Sequence, residues 1–162
     1  MLRLESCPVA AGQGHEAGRA LLKRMYEAYT GEPMPQILKA ERGKPYFLGK
    51  KLHFSITHTK RRVFCALSDR PIGVDAEELD RDISLKLAQK ILSAPEYARY
   101  EKLIDKKEGL LRFWVLKEAQ AKCTGQGIIG YPNKTDFSPD DPRVMMQDGC
   151  LLAVVEEEED AV

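Results

Sequence analysis

The chain has 162 residues, 43% of them hydrophobic and 31% charged. That is the composition of one folded domain with a real core, and it excludes a disordered or fibrous polypeptide. Lysine plus arginine and aspartate plus glutamate number 25 each, so no net field draws the protein to nucleic acid or an anionic membrane, and basic contacts with a ligand must be local.

The amino-terminal stretch LRLESC alternates and predicts a short strand. It carries Glu5 inside its first apolar run and has no secretory h-region. No stretch approaches the length of a membrane span. A cytoplasmic protein is therefore expected, with Cys7, Cys65, Cys123 and Cys150 as reduced thiols. After AAGQG, the segment HEAGRALLKRMYEAYTG predicts a helix with Ala20, Leu21, Met25 and Ala28 at helical spacing, stopped by Gly31 and Pro33. ILKAE, LHFSITH and RVFCALS predict three strands separated by the GKP and TKRR turns, and PIGVDAEEL predicts another. A helical region then runs from about Ser84 to Gly125, broken near SAPE and near KLIDKKEG. Ser93 followed by Pro95 and Glu96 marks a helix start. The last third predicts two or three short strands and a solvated acidic tail. Strand, helix and three strands thus occur twice, without sequence identity between the two halves. Halves this small should share an interface, where a cleft is a natural ligand site.

Charge sits in unusual places along this order. In PIGVDAEEL, Ile72, Val74 and Ala76 share one strand face, while Gly73, Asp75 and Glu77 share the other. Two carboxylates at i,i+2 repel unless they are solvated or hold a hard cation such as Mg²⁺, which takes one or two carboxylates plus phosphates. In LHFSITHT, Leu52, Phe54 and Ile56 alternate with His53, Ser55 and Thr57, and His58 falls with the apolar set. Lys44 is held in a turn by Gly43 and Pro45. Arg19 lies in an apolar helical turn. In FWVLKEAQAK, Glu118 and Lys122 are i,i+4 neighbours. Alone, that is a helix surface pair worth about 0.2–0.5 kcal/mol.

The ordered set GKPY, FSITHT, PIGVDAE and FWVLKEAQAK resembles the four successive motifs of the 4′-phosphopantetheinyl transferases, of the two-half type that activates surfactin synthetase. The family patterns are G-K-P, F-N-x-S-H-S, V/I-G-V/I-D-x-E and W-x-x-K-E-x-x-x-K. The last two recur residue for residue at Asp75, Glu77, Trp114, Lys117, Glu118 and Lys122. Ser55 stands where the family usually has Asn, and Thr57 and Thr59 stand where it usually has Ser. The resemblance spans roughly Gly14 to Gly127 and implies a member shortened at both ends.

It implies an α+β fold of two similar strand-helix-three-strand halves, 1–69 and 70–162, packed as an intramolecular pseudo-dimer and hence a monomer. The implied activity is Mg²⁺-dependent transfer of 4′-phosphopantetheine from coenzyme A to a serine of an apo carrier protein, acyl or peptidyl, releasing adenosine 3′,5′-bisphosphate. Such carriers serve fatty acid, polyketide or nonribosomal peptide synthesis. By the resemblance, Asp75, Glu77 and Glu118 hold Mg²⁺, and Glu118 takes the serine proton. Lys122 neutralises phosphate charge, His58 and Thr57 bond the pyrophosphate, and Lys44 and Arg19 hold the nucleotide end. Trp114 is expected to pack the helix, and the carrier is expected to dock between Leu79 and Tyr97 with the KLIDKKEG loop. Two other readings fit the same carboxylates: a Mg²⁺-dependent hydrolase of nucleotides or of the coenzyme A pyrophosphate, and a non-catalytic relic that binds coenzyme A or carriers.

Overall fold

The architecture rests on four stacked layers: a helix, two antiparallel sheets face to face, and a second helix. It is seen in a computed structural model that describes residues 1–49, 51–126 and 134–158. Gly127, where the resemblance ends, and Glu159 of the acidic run lie outside the described residues.

Strand β1 (Leu2–Pro8) leads into helix α1 (Gly14–Thr30), followed by the small hairpin β2 (Ile37–Lys39) and β3 (Pro45–Phe47), then β4 (His53–His58) and β5 (Arg62–Ser68). The first sheet has the order β1-β5-β4. Helix α1 buries Gly14, Gly18, Leu21, Leu22, Met25 and Tyr26, so the stripe differs from the predicted one, and Ala20 and Ala28 face solvent. Two glycines serve as contact residues because the strand comes close: a Cβ at Gly18 would meet the Ile56 side chain at 2.6 Å. Leu21, Leu22, Met25 and Tyr26 close on Phe47, Phe54, Val63, Cys65 and Leu67. Strand β3 falls where a turn was predicted. It is three residues long and begins with a proline, which a strand tolerates only at its start or edge.

Strand β6 (Ile72–Glu78) opens the second part of the chain. A 3₁₀ turn (Leu85–Leu87) and α2 (Ala88–Ile91) follow, then α3 (Ala94–Glu101), α4 (Lys106–Thr124), β7 (Val144–Gln147) and β8 (Cys150–Glu156). The helix start read at Ser93 is a full capping box: the Ser93 hydroxyl accepts from the Glu96 N–H, and the Glu96 carboxylate accepts from the Ser93 N–H. The second sheet has the order β6-β8-β7. In both sheets the first strand therefore pairs with the last, and the last with the one before it. The two parts differ in strand count. Four strands follow α1, whereas two follow α4 among the described residues.

The sheets meet through Phe64 and Ala66 on one side and Ile72, Val74, Ala76, Cys150 and Leu152 on the other. Gly73, Asp75 and Glu77 turn to α4, as the alternation in the sequence requires. Helix α4 is apolar on most sides because it is enclosed, packing with Leu151, Ala153 and Val155 beneath it and with α3 beside it. The four cysteines are free. No helix among the described residues is long and apolar enough to cross a membrane.

Candidate active site

Strand β6 is an edge strand, so its outer N–H and C=O groups need partners from elsewhere. At Val74 they find them in side chains. The N–H donates to the Ser55 hydroxyl of β4 at 3.0 Å, and the C=O accepts from Lys122 Nζ of α4 at 3.1 Å. Lys122 also donates to Asp75 Oδ1 at 3.0 Å, and the Thr57 hydroxyl approaches the same oxygen at 3.4 Å. Asp75 Oδ2 is buried and has no hydrogen-bond partner among the described residues. The ion pair of Lys122 thus runs across to β6 and does not join Glu118 on its own helix.

The three predicted carboxylates share one electrostatic neighbourhood. Burial pushes the Asp75 carboxyl up to about 6; Lys122 and Thr57 oppose this, and Glu118 adds to it. Burial and then Asp75 raise Glu77, which Arg81 and the Trp114 indole partly offset through hydrogen bonds. Burial also raises Glu118, with Lys122 pulling the other way and Glu77 adding to the rise. Each carboxylate destabilises the charge of a neighbour, which is the environment a hard cation relieves. As they stand, no three such side chains among the described residues are grouped closely enough to hold a metal ion. Asp75 is bonded to Lys122, and Glu77 to Arg81. The orphaned Asp75 Oδ2 and the mutual strain of the carboxylates fit a divalent cation, provided that these two basic side chains turn aside.

A cavity of about 610 Å³ opens beside this cluster. Glu118 and Lys122 line one wall. Arg19 and His15 come from α1, Lys39, Arg42 and Lys44 from the β2–β3 hairpin, and Ser55 and His58 from β4. His58 packs against α1 so tightly that a Cβ at Gly14 would lie 2.5 Å from its Cγ and Nδ1. Five of the eight predicted site residues line the cavity: Arg19, Lys44, His58, Glu118 and Lys122. Asp75 adjoins it through Lys122.

Thr57, Lys44 and Trp114 make contacts that the sequence did not predict. Thr57, for which a phosphate bond was predicted, is buried and its hydroxyl faces the Asp75 carboxylate. Lys44 donates to the Cys123 carbonyl at 2.6 Å, closing the α4 C-terminus, and burial lowers its pKa. It forms part of the cavity wall with its ammonium already engaged. Trp114 lies beside Glu77 rather than solely in the core. His15, Lys39 and Arg42 were not singled out in the sequence. Arg42 stands two residues before Lys44 in ERGKP, the one local signal that could have pointed to it; the positions of His15 and Lys39 depend on tertiary packing.

Lys117, in register with the family motif, points away from this cavity. It is 3% exposed and forms a 2.7 Å ion pair with Glu96, which is fully buried. Glu96 also accepts from the Thr135 hydroxyl at 2.8 Å and the Phe137 N–H at 2.9 Å. Burial pushes Glu96 up, but these hydrogen bonds outweigh it and hold the group below its usual range. Lys117 anchors structure while its neighbour Glu118 faces the cavity.

The sequence model of the 4′-phosphopantetheinyl transferase superfamily matches residues 71–150. Over 115 residues the chain is 30% identical to the 4′-phosphopantetheinyl transferase gsp of Aneurinibacillus migulanus, covering 68% of this chain and 48% of that protein. It is 30% identical over 116 residues to the 4′-phosphopantetheinyl transferase psf-1 of Bacillus pumilus (68% and 49%). It is 34% identical over 122 residues to the 4′-phosphopantetheinyl transferase HetI of a Nostoc species (69% and 52%). The chain spans about half the length of these curated relatives.

Proposed function

We propose that this chain, which belongs to the 4′-phosphopantetheinyl transferase superfamily, transfers 4′-phosphopantetheine from coenzyme A to a serine hydroxyl of an apo acyl or peptidyl carrier protein. The observation that carries this reading is the cavity itself. Seven basic or imidazole side chains line it, and the acidic residue among its lining is Glu118, next to the Asp75–Lys122 pair. That charge pattern suits a polyanion whose reacting diphosphate reaches the carboxylates.

In the reaction, the serine oxygen forms a bond to the pantetheine-bearing phosphorus. The diphosphate P–O bond breaks, and adenosine 3′,5′-bisphosphate leaves with the electron pair. The protein's part is mainly positioning and charge stabilisation. Glu118 receives the serine proton; its raised pKa brings it nearer to the working pH of a base. Lys122 turns to the leaving phosphate, while His58 and Arg19 hold the diphosphate and nucleotide from the α1 side. Thr57 keeps Asp75 oriented, and Lys44 holds the β2–β3 wall against α4. Asp75, Glu77 and Glu118 would hold Mg²⁺, which when bound supplies charge neutralisation at the diphosphate.

The matching strand orders of the two sheets support the reading of 1–69 and 70–162 as the halves of an intramolecular pseudo-dimer. Incubation with coenzyme A, Mg²⁺ and a panel of apo carriers tests the activity. The expected result is a phosphopantetheine mass increase on a carrier serine. Consumption of coenzyme A with every carrier unchanged would instead establish a hydrolase.

A further inference from the structure

The Glu118–Lys122 spacing suggests a local pair, yet Lys122 reaches across to β6. Its ammonium lies 3.0 Å from Asp75 Oδ1 and 3.1 Å from the Val74 carbonyl, so it bonds a strand carbonyl and the adjacent carboxylate at once. A cation bound by these oxygens would need the same space. Lys122 is also a cavity-lining residue with a side chain 35% exposed, on a flexible four-carbon stem. It can exchange Asp75 for an anion in the cavity by rotating side-chain bonds alone. The other oxygen of Asp75 is buried and has no partner among the described residues, leaving the carboxylate half-satisfied.

We propose that the Lys122 ammonium is the resident counter-ion of Asp75, competing with a divalent cation for that carboxylate until a diphosphate in the cavity draws it away. This rests on the reading of Asp75, Glu77 and Glu118 as a divalent-cation site. Cation and coenzyme A then favour one another's binding by more than their direct contact, because each helps to displace or receive the same ammonium. The arrangement makes the cation site selective for the loaded cavity. Thr57 stays on Asp75 throughout and keeps the carboxylate aimed while its charged partner changes.

Calorimetric titration of the full chain with Mn²⁺, with and without coenzyme A, tests this without reference to turnover. Lys122→Gln keeps a donor for the Val74 carbonyl and removes the competing charge. The variant should bind Mn²⁺ alone at least tenfold more tightly than wild type, and the gain in Mn²⁺ affinity from coenzyme A should shrink. If Lys122 instead only orients Asp75, Lys122→Gln binds Mn²⁺ alone as weakly as wild type or more weakly, and the proposal is overturned. A second measurement needs no variant: acetylation of wild-type lysines, read by mass spectrometry. Saturating Mn²⁺ alone should increase labelling at Lys122; labelling unchanged by Mn²⁺ overturns the proposal even if the variant does not fold. Failure of wild type to bind Mn²⁺ with or without coenzyme A overturns the cation-site reading itself, and the proposal with it.

Discussion

Burial of the Asp75 carboxyl against α4 makes this residue's contribution to stability depend on pH. Its folded-state pKa of about 6 lies above the ordinary 3.8, so folding takes up a proton between those values. Stability from this group therefore rises as pH falls through about 6 toward 4, and the full penalty of the ionised form is present above 6. Asp75→Asn removes that penalty. Above pH 7 the metal-free variant should be more stable than wild type, on the order of 1–3 kcal/mol, with the difference shrinking near pH 4. Urea denaturation at both pH values measures it, and a variant less stable at pH 7.5 refutes the account. His58 offers a different response. It is exposed at the cavity and stacked against Gly14, so His58→Ala should keep its melting temperature while coenzyme A affinity falls about 10- to 100-fold, the range of a hydrogen bond to a charged group. A loss of melting temperature with affinity unchanged would make His58 a packing residue. Asp75 was legible from strand alternation; His58, which alternation groups with Leu52, Phe54 and Ile56, was marked as a site residue by the family resemblance alone. The partner of Lys122 was not legible, because a helix read in isolation offers Glu118 and conceals the strand that will lie beneath it.

At the scale of elements, α4 lies so close on β6 that position 73 has no room for a side chain. A Cβ at Gly73 would fall inside the radius of the Ala119 carbonyl oxygen and lie 2.5 Å from the Cys123 N–H nitrogen. Both are backbone atoms, so α4 itself would have to move. Gly73→Ala should cost at least the upper part of the ~1–3 kcal/mol usual for overpacking, and should reduce activity further by shifting Glu118 and Lys122 together. Chemical denaturation and transfer rate, measured on one preparation, check the pair of effects; an unperturbed rate would separate the helix position from the site. The glycine of PIGVD was readable only as the small member of the charged face. The helix start at Ser93 was readable, since its signal lies within four residues; its reciprocal capping hydrogen bonds came from the structure. Strand β3 was not readable: three residues with a proline carry no period.

At the level of the whole molecule, the contact between the two sheets sets the geometry of the site. Ser55 reaches from β4 to the Val74 N–H, next to Asp75 in sequence and across the joint in space. Ser55→Ala leaves that N–H buried without an acceptor, so a stability loss of about 1–3 kcal/mol is expected, with slower transfer from a less well held Asp75. Ser55→Asn, restoring the residue usual in the family, should recover some of both if its side-chain oxygen reaches the same N–H. Equal rates for all three proteins would remove Ser55 from the account. The sequence reads as strand, helix and three strands occurring twice; the structure has four strands after α1 and, among the described residues, two after α4. That the sheets share one strand order and stack face to face was not visible in the sequence, because Ile72, Val74 and Ala76 show an apolar face without naming what it meets.

The chain has a single tryptophan, and it stands beside a carboxylate of the candidate centre. Trp114 is partly exposed on α4 near Glu77, and because it is the chain's single tryptophan its emission carries no background from a second indole. Loss of the Glu77 charge, or a change in the partner of that carboxylate, alters the field at the ring and hence the colour of its fluorescence. The site therefore contains its own optical probe, readable in the unlabelled protein.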